Sequence, residues 1–299
     1  VNPRRFLGSA WAALHGPHDP RRLCIWALEK GFAGILPGPT PRPVDWAAVR
    51  SAAADLPFRF ATALRLCPLS ATGDRADRGL GSRNAGDREA AAKSIAAGLA
   101  QAAELGLARV LFEPGAVPLT GDDPPLDLAR ASPPWDAPRA EVLAARRRAG
   151  EARALDAACR TLHTLGKTFP DALFCLQPGR MIDSLGNPAA LQLVFEDLPR
   201  LRLGYWHDVA IAACREARLG EPQGEWLERF GSRLAGITLG DWDNERLYAA
   251  PGSGLVDYPL VASYLGGVSD RIPQVLELDP SVPPNELSGV AAFLGKFGL

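Results

Sequence analysis

Two periods of hydrophobic and polar positions alternate along the chain. Short apolar runs recur at 6–14, 34–37, 58–66, 109–113, 173–177, 201–206, 234–239 and 273–278, and these read as β-strands. Between them, at 20–30, 46–54, 87–105, 140–168, 188–198, 223–230, 258–265 and 285–297, the apolar spacing suits amphipathic helices. Punctuation agrees with this reading. Lys30-Gly31 and Glu104-Leu105-Gly106 supply helix stops. Asp19-Pro20, Asp45 and Asp257 stand where N-caps belong, just ahead of the apolar periodicity.

A strand–helix unit repeated eight times predicts a parallel sheet with right-handed crossovers. Eight such units along 1–299 predict one closed (β/α)8 TIM barrel in a single domain. An open doubly wound sheet is disfavoured, because no G-x-G-x-x-G follows the first strand and no phosphate-binding G-x-x-x-x-G-K-[ST] occurs. Two segments fit neither period: 70–86, rich in Gly, Asp and Arg, and the Pro-rich 116–138. Both follow strands, so both are expected on the C-terminal face as surface decoration, a lid or a pocket wall.

Composition narrows the function class. The 33 Lys+Arg against 34 Asp+Glu among 299 residues leave a net charge of −1, which argues against duplex nucleic acid or an anionic membrane as partner. No run approaches the ~18 apolar residues of a membrane span. Arg4-Arg5 before an apolar stretch faintly resembles an export signal, but the stretch is short and reads as the first strand. Cys24, Cys67, Cys159, Cys175 and Cys214 are odd in number and include no C-x-x-C pair, which suits reduced, buried thiols in a cytoplasmic protein. Nothing in the sequence decides between a monomer and a homo-oligomer.

In a barrel, side chains at the C-terminal strand ends converge on one cavity. The fourth strand ends at Glu113, the fifth at Gln177 and the sixth at His207-Asp208; the seventh offers Thr238 and Asp241, the eighth Glu277. Acids gathered in a small volume need a cation, an arginine or a shared proton. Oxygen ligands suit Mg²⁺ or Mn²⁺, and caps or arginine pairs are the alternative. Trp11, Trp206 and Trp242 near strand ends offer faces for a sugar ring, although core packing is the default for tryptophan. His15 and His18 lie in the first βα loop, and His163 lies inside a long helix.

The last third of the chain resembles the xylose isomerase-like barrels, which include sugar phosphate isomerases/epimerases and endonuclease IV-type enzymes. Leu-Gly-Tyr-Trp-His-Asp-Val-Ala-Ile-Ala at 203–212 resembles that group's strand-six segment, which usually ends Asp-x-Gly-His-Ala. Gly-Ile-Thr-Leu-Gly-Asp-Trp at 236–242 resembles its strand-seven Val-His-x-x-Asp. Pro251-Gly-Ser-Gly-Leu-Val-Asp257 and Val-Leu-Glu277 are similar to the loop and strand-eight glutamate that follow.

The resemblance implies a small carbohydrate-like substrate and metal-assisted proton or hydride transfer at a carbonyl–hydroxyl pair. It also implies a divalent metal (Mg, Mn or Zn) bound by Glu, Asp, His and Glu on strands five to eight. Here those positions read Gln177, Asp208, Thr238 and Glu277, and the usual strand-six His falls on Ile211. The implied metal site is therefore degenerate, with Asp241 as a further oxygen donor. Of the paired glutamates implied for epimerisation only Glu277 remains, so one-base chemistry through Glu277, Glu113 or His207 is expected. Trp11, His15, Trp206, Trp242 and Thr238 are the expected substrate contacts. The alternatives are a non-catalytic barrel that binds a carbohydrate-like ligand or protein partner, and, less favoured, a phosphodiesterase.

Overall fold

The computed structural model describes residues 2–66, 79–119, 125–130, 135–266 and 271–299. Parts of both long loops (70–78, 120–124 and 131–134) and Cys67 lie outside the described residues. The strands are β1 (Asn2–Gly8), β2 (Phe32–Leu36), β3 (Arg59–Phe60), β4 (Leu64–Arg65), β5 (Arg109–Phe112), β6 (Leu173–Leu176), β7 (Leu203–Asp208), β8 (Leu234–Leu239), β9 (Asp241–Trp242), β10 (Leu247–Ala249) and β11 (Gln274–Leu276). Nine of them form one sheet in the order β3-β2-β1-β11-β8-β7-β6-β5-β4, every neighbour parallel. β9 and β10 make a separate antiparallel hairpin.

The two edges of the sheet are consecutive pieces of one extended stretch. β3 pairs with β2 and β4 pairs with β5, while the Arg65 N–H donates to Pro37 O at 2.9 Å and the Leu66 N–H to Leu111 O at 2.7 Å. Side chains on one face of this sheet meet in a single cluster: Phe6, Ala33, Leu36, Ala61, Ala63, Leu111, Cys175, Trp206, Ala235 and Val275, contributed by every strand region. Five of these residues are small (Ala33, Ala61, Ala63, Cys175 and Ala235), and they offset the bulk of the Trp206 indole. A Cβ on Gly236, in register with Trp206 on the next strand, would overlap the indole. The other face packs on the helices in a larger apolar cluster that includes Leu7, Ile35, Val110, Phe174, Tyr205 and Ile237.

The helices are α1 (Ser9–His15), α2 (Pro20–Glu29), α3 (Trp46–Ala52), α4 (Ala85–Glu104), α5 (Ala137–Thr168), α6 (Pro188–Asp197), α7 (Val209–Leu219), α8 (Gln223–Phe230), α9 (Tyr258–Leu265) and α10 (Leu287–Gly295). Asp19, Asp45 and Asp257 accept from Arg22, Ala48 and Leu260 N–H groups as N-caps, each such cap contributing ~1 kcal/mol. Two helices differ from the expectation. Residues 9–14, read as part of the first strand, form α1, and 209–219, left between elements, form α7. Both follow a strand with no intervening loop, so an apolar strand runs directly into an apolar helix and periodicity shows no break.

No helix among the described residues is long and apolar enough to cross a membrane. Cys24, Cys159, Cys175 and Cys214 are free and buried.

Candidate active site

Alternation along each strand decides which polar side chains face the interior of the sheet. Ala63, Leu111, Cys175, Trp206 and Val275 belong to the interior cluster. Two residues on from each stand Arg65, Glu113, Gln177, Asp208 and Glu277, on the same face and nearer the strands' C-terminal ends.

Arg65 is the hub of this layer. Its Nη1 pairs with Glu277 Oε2 at 2.5 Å, and its Nη2 donates to Thr238 Oγ1 at 3.0 Å. Thr238 Oγ1 also accepts from Trp206 Nε1 at 2.9 Å. Asp208 accepts the Tyr248 hydroxyl on Oδ2 at 2.8 Å and the Ile211 N–H on Oδ1 at 3.1 Å, capping α7. Burial raises the Glu277 and Asp208 carboxyls above the usual range, and Arg65 opposes both shifts. Burial works against the Arg65 charge, yet Glu277, Tyr248 and Asp208 outweigh it and hold the guanidinium protonated. Gly8 is required beside this pair, because a Cβ there would overlap the Glu277 carboxylate.

A cavity of about 410 Å³ opens over this hub, lined by Arg65, Tyr248 and Glu277 together with the charged Asp127, Arg130 and Arg180. Asp127 holds both rim arginines, at 3.3 Å from Arg130 and 3.1 Å from Arg180. The described part of the 116–138 loop thus forms a wall of the cavity. Ala10, Leu278 and Pro280, each just beyond a strand end, also border it, which places it at the C-terminal face.

Of the other expected site residues, His207, Asp241 and the tryptophans lie away from this layer's open side, whereas Glu113, Gln177 and His15 stay beside it. His207 turns to the helical side, where its Nδ1 meets the Tyr205 hydroxyl at 2.7 Å beside Trp226 and Phe230. It is 1% exposed and burial pushes it down to about 3, so it is neutral, and it is not among the residues lining the cavity over Arg65. Strand alternation admits one of His207 and Asp208 to the interior, and Asp208 takes the place. Asp241 accepts the Trp242, Gly252 and Val256 N–H groups at 2.9, 2.9 and 3.1 Å. The 251–256 loop thus wraps the chain's own carboxylate, and both Asp241 oxygens are engaged by backbone N–H groups.

Trp11, Trp206 and Trp242 are fully buried, with their Nε1 groups on Val282 O, Thr238 Oγ1 and Ala129 O. The expected stacking faces are core instead. His15 packs on Trp11 at 4.7 Å between centroids and meets Pro280 O at 3.0 Å, on the cavity's border. Glu113 meets Ser184 Oγ at 3.3 Å, and burial raises it to about 7. Gln177 Oε1 is buried without a hydrogen-bond partner among the described residues.

The implied divalent metal can be tested against this donor set. Of positions 177, 208, 238 and 277, Thr238 Oγ1 has two protein donors, both Asp208 oxygens are engaged, and Glu277 carries a guanidinium. No group of three His, Cys, Asp or Glu among the described residues is placed to hold a metal. A dication bound by Glu277 would lie near the Arg65 charge. That repulsion is about twice the ~4 kcal/mol between unit charges at 4 Å near a protein surface. The residues present do not fit the metal.

Arg65 and Tyr248 are the residues that sequence reading missed. Arg65 carried a signal, since Ala61-x-Ala63-x-Arg65 alternates into the third strand's end. Tyr248 carried none, because the β9–β10 hairpin, and not a strand of the nine-stranded sheet, brings it in, with φ 67°.

No protein-family model matches the chain, and no curated protein matches it in sequence. Solved structures do match. A 3-keto-D-glucoside 4-epimerase from E. coli aligns over 98% of this chain and 99% of its own, with TM-score 0.64 and 16% identity. A D-tagatose 3-epimerase-like protein aligns over 98% and 96%, with TM-score 0.65 and 13% identity. D-psicose 3-epimerase from Clostridium cellulolyticum H10, solved with D-tagatose, aligns over 98% and 99%, with TM-score 0.63 and 12% identity. The fold is the xylose isomerase-like one.

Proposed function

We propose that the chain is a sugar isomerase/epimerase-like enzyme that moves a proton beside the carbonyl of a small carbohydrate-like substrate, within one closed (β/α)8 barrel domain. The barrel reading is supported by the stretch 59–65, which supplies both edges of the sheet, and by the single interior cluster. The observation that carries the chemistry is the buried Glu277–Arg65 pair lining a cavity of about 410 Å³ at the strands' C-terminal ends. Free, buried thiols support a cytoplasmic setting.

In this reading ionised Glu277 takes the proton from the carbon next to the carbonyl. The C–H electron pair forms the C=C bond, and the carbonyl π pair moves onto oxygen, giving an enediolate. Arg65 N–H groups hold that oxygen's developing charge. The proton then returns from Glu277 either to its original carbon, or to the neighbouring carbon while the enediolate's remaining hydroxyl proton passes from one oxygen to the other, which interchanges aldose and ketose. Gln177 accepts no proton, so a second base on the opposite face is not supplied at that position. A raised Glu277 carboxyl is a stronger base. Because the donor set does not fit a divalent metal, no step is assigned to one.

A second reading, a carbohydrate-binding barrel without turnover, draws support from Asp208 and Thr238, whose oxygens are already engaged. One experiment separates the two. The protein is incubated in D2O with D-fructose, D-tagatose, D-psicose or a 3-keto-D-glucoside, and NMR reads deuterium at the carbon beside the carbonyl. Wild type is expected to incorporate deuterium, and Glu277→Gln to lose the exchange by about 10²–10⁴-fold. Saturable binding without exchange supports the second reading, and exchange unaffected by Glu277→Gln rejects the assignment of the base.

A further inference from the structure

We infer that Arg65 supplies, as a fixed guanidinium, the positive charge that the fold's relatives are implied to draw from a divalent cation. The site is built around a side-chain cation and excludes a metal. This inference concerns the charge of the cavity and stands whatever ligand the cavity takes, so it does not rest on the sugar reading.

Three observations carry it. First, the guanidinium lies among the positions at which the resemblance implies metal ligands: it touches Glu277 and Thr238, and the charges of Asp208 and of Tyr248, which are hydrogen-bonded to each other, act on it. Second, it is placed rigidly. The Arg65 N–H is bonded to Pro37 O at 2.9 Å, and Trp206 Nε1 holds the Thr238 hydroxyl that receives Nη2. A planar fork held at both ends loses little freedom when it meets a ligand. Third, it has donors to spare. A guanidinium carries five N–H groups; Glu277 and Thr238 take one each, and the buried Nε has no partner among the described residues. The side chain is 18% exposed and lines the cavity, so the remaining N–H groups can reach two adjacent ligand oxygens, as a dication would.

Two sequence features then have one cause. Thr238 in place of an imidazole leaves room for the guanidinium and offers a hydroxyl that can accept from it. Gln177 in place of a glutamate removes a negative charge that no longer has a dication to balance.

Mn²⁺ is the probe, read by the electron paramagnetic resonance signal of the free ion during titration. Wild-type protein is expected to leave 1 mM Mn²⁺ essentially free, with no shift in melting temperature on adding either Mn²⁺ or EDTA. Gln177→Glu with Thr238→His, Arg65 retained, is expected to gain less than about 10-fold in affinity. Adding Arg65→Ala to that pair is expected to tighten Mn²⁺ binding by about 100-fold or more, since a like charge then leaves the site. Circular dichroism checks that the variants fold, and the wild-type titration needs no variant. Micromolar Mn²⁺ binding by wild type overturns the inference. So does a double variant that binds as tightly with Arg65 as without it.

Discussion

Arg65→Met removes the charge from a pair in which the Arg65 side chain is 18% exposed and the Glu277 side chain 4%. The methionine fills much of the space, so the loss is chiefly electrostatic: Glu277 is left buried without its partner. Breaking a buried pair from one side costs about 3–5 kcal/mol, whereas replacing both members with apolar groups is often close to neutral. Glu277→Leu leaves Arg65 beside the cavity and its Thr238 partner, and is expected to cost about 1–2 kcal/mol. The double variant Arg65→Met/Glu277→Leu is expected to be close to neutral and so more stable than Arg65→Met alone, a coupling of about 4 kcal/mol or more.

Urea denaturation of all four proteins gives the cycle. A pH arm sharpens it. Burial already raises Glu277, and losing Arg65 raises it further. Between the unfolded carboxyl value and that higher folded value, the native state keeps a proton that the unfolded chain has released. Stability of Arg65→Met therefore falls as pH rises through this window, and its deficit against wild type is smaller at pH 5 than at pH 8. Losses that add within about 0.5 kcal/mol, or a deficit independent of pH, refute the coupling.

Asp241→Asn halves the carboxylate that holds the Gly252 and Val256 N–H groups. A loss of about 1.5–3 kcal/mol in denaturation is expected, with ligand binding weakened only through the loop. His207, pushed down to about 3 by burial, is expected to remain neutral across pH 4–8 by NMR. Its unfolded state binds the extra proton, so stability falls as pH drops from about 6.5; His207→Gln should flatten that fall without touching the cavity. Gly8→Ala puts a methyl where the Glu277 carboxylate lies. Displacing that carboxylate by about 1 Å is expected to cost about 100-fold in any proton-transfer rate, while far-UV circular dichroism stays native.

Much of the architecture was legible because it depends on local rules. Asp19, Asp45 and Asp257 cap helices as their positions ahead of apolar periodicity implied. Where two elements join without a loop, periodicity failed. Gly8 caps α1 with no side-chain bond, and Asp208 is at once the last residue of β7 and the cap of α7. That double duty also made Asp208 read as a free ligand, when one of its oxygens holds a helix.

The site itself was only partly legible for a different reason. Glu277 and Thr238 stand at strand ends, but what they bind is set by a side chain from another strand, 212 residues from Glu277 in sequence. The tryptophans were drawn to the rim by position alone, yet each indole N–H finds a buried acceptor and each ring lies in the core. Near-zero net charge said nothing of a cavity whose arginines and acids balance locally.

Deuterium wash-in from D2O, followed by NMR on the ketohexoses in paired samples with and without EDTA, bears most directly on a guanidinium–carboxylate site acting without a metal. Exchange by wild type is expected to proceed at the same rate with and without the chelator, and to be lost in Glu277→Gln and Arg65→Met alike. Exchange abolished by EDTA and restored by Mn²⁺ would contradict it.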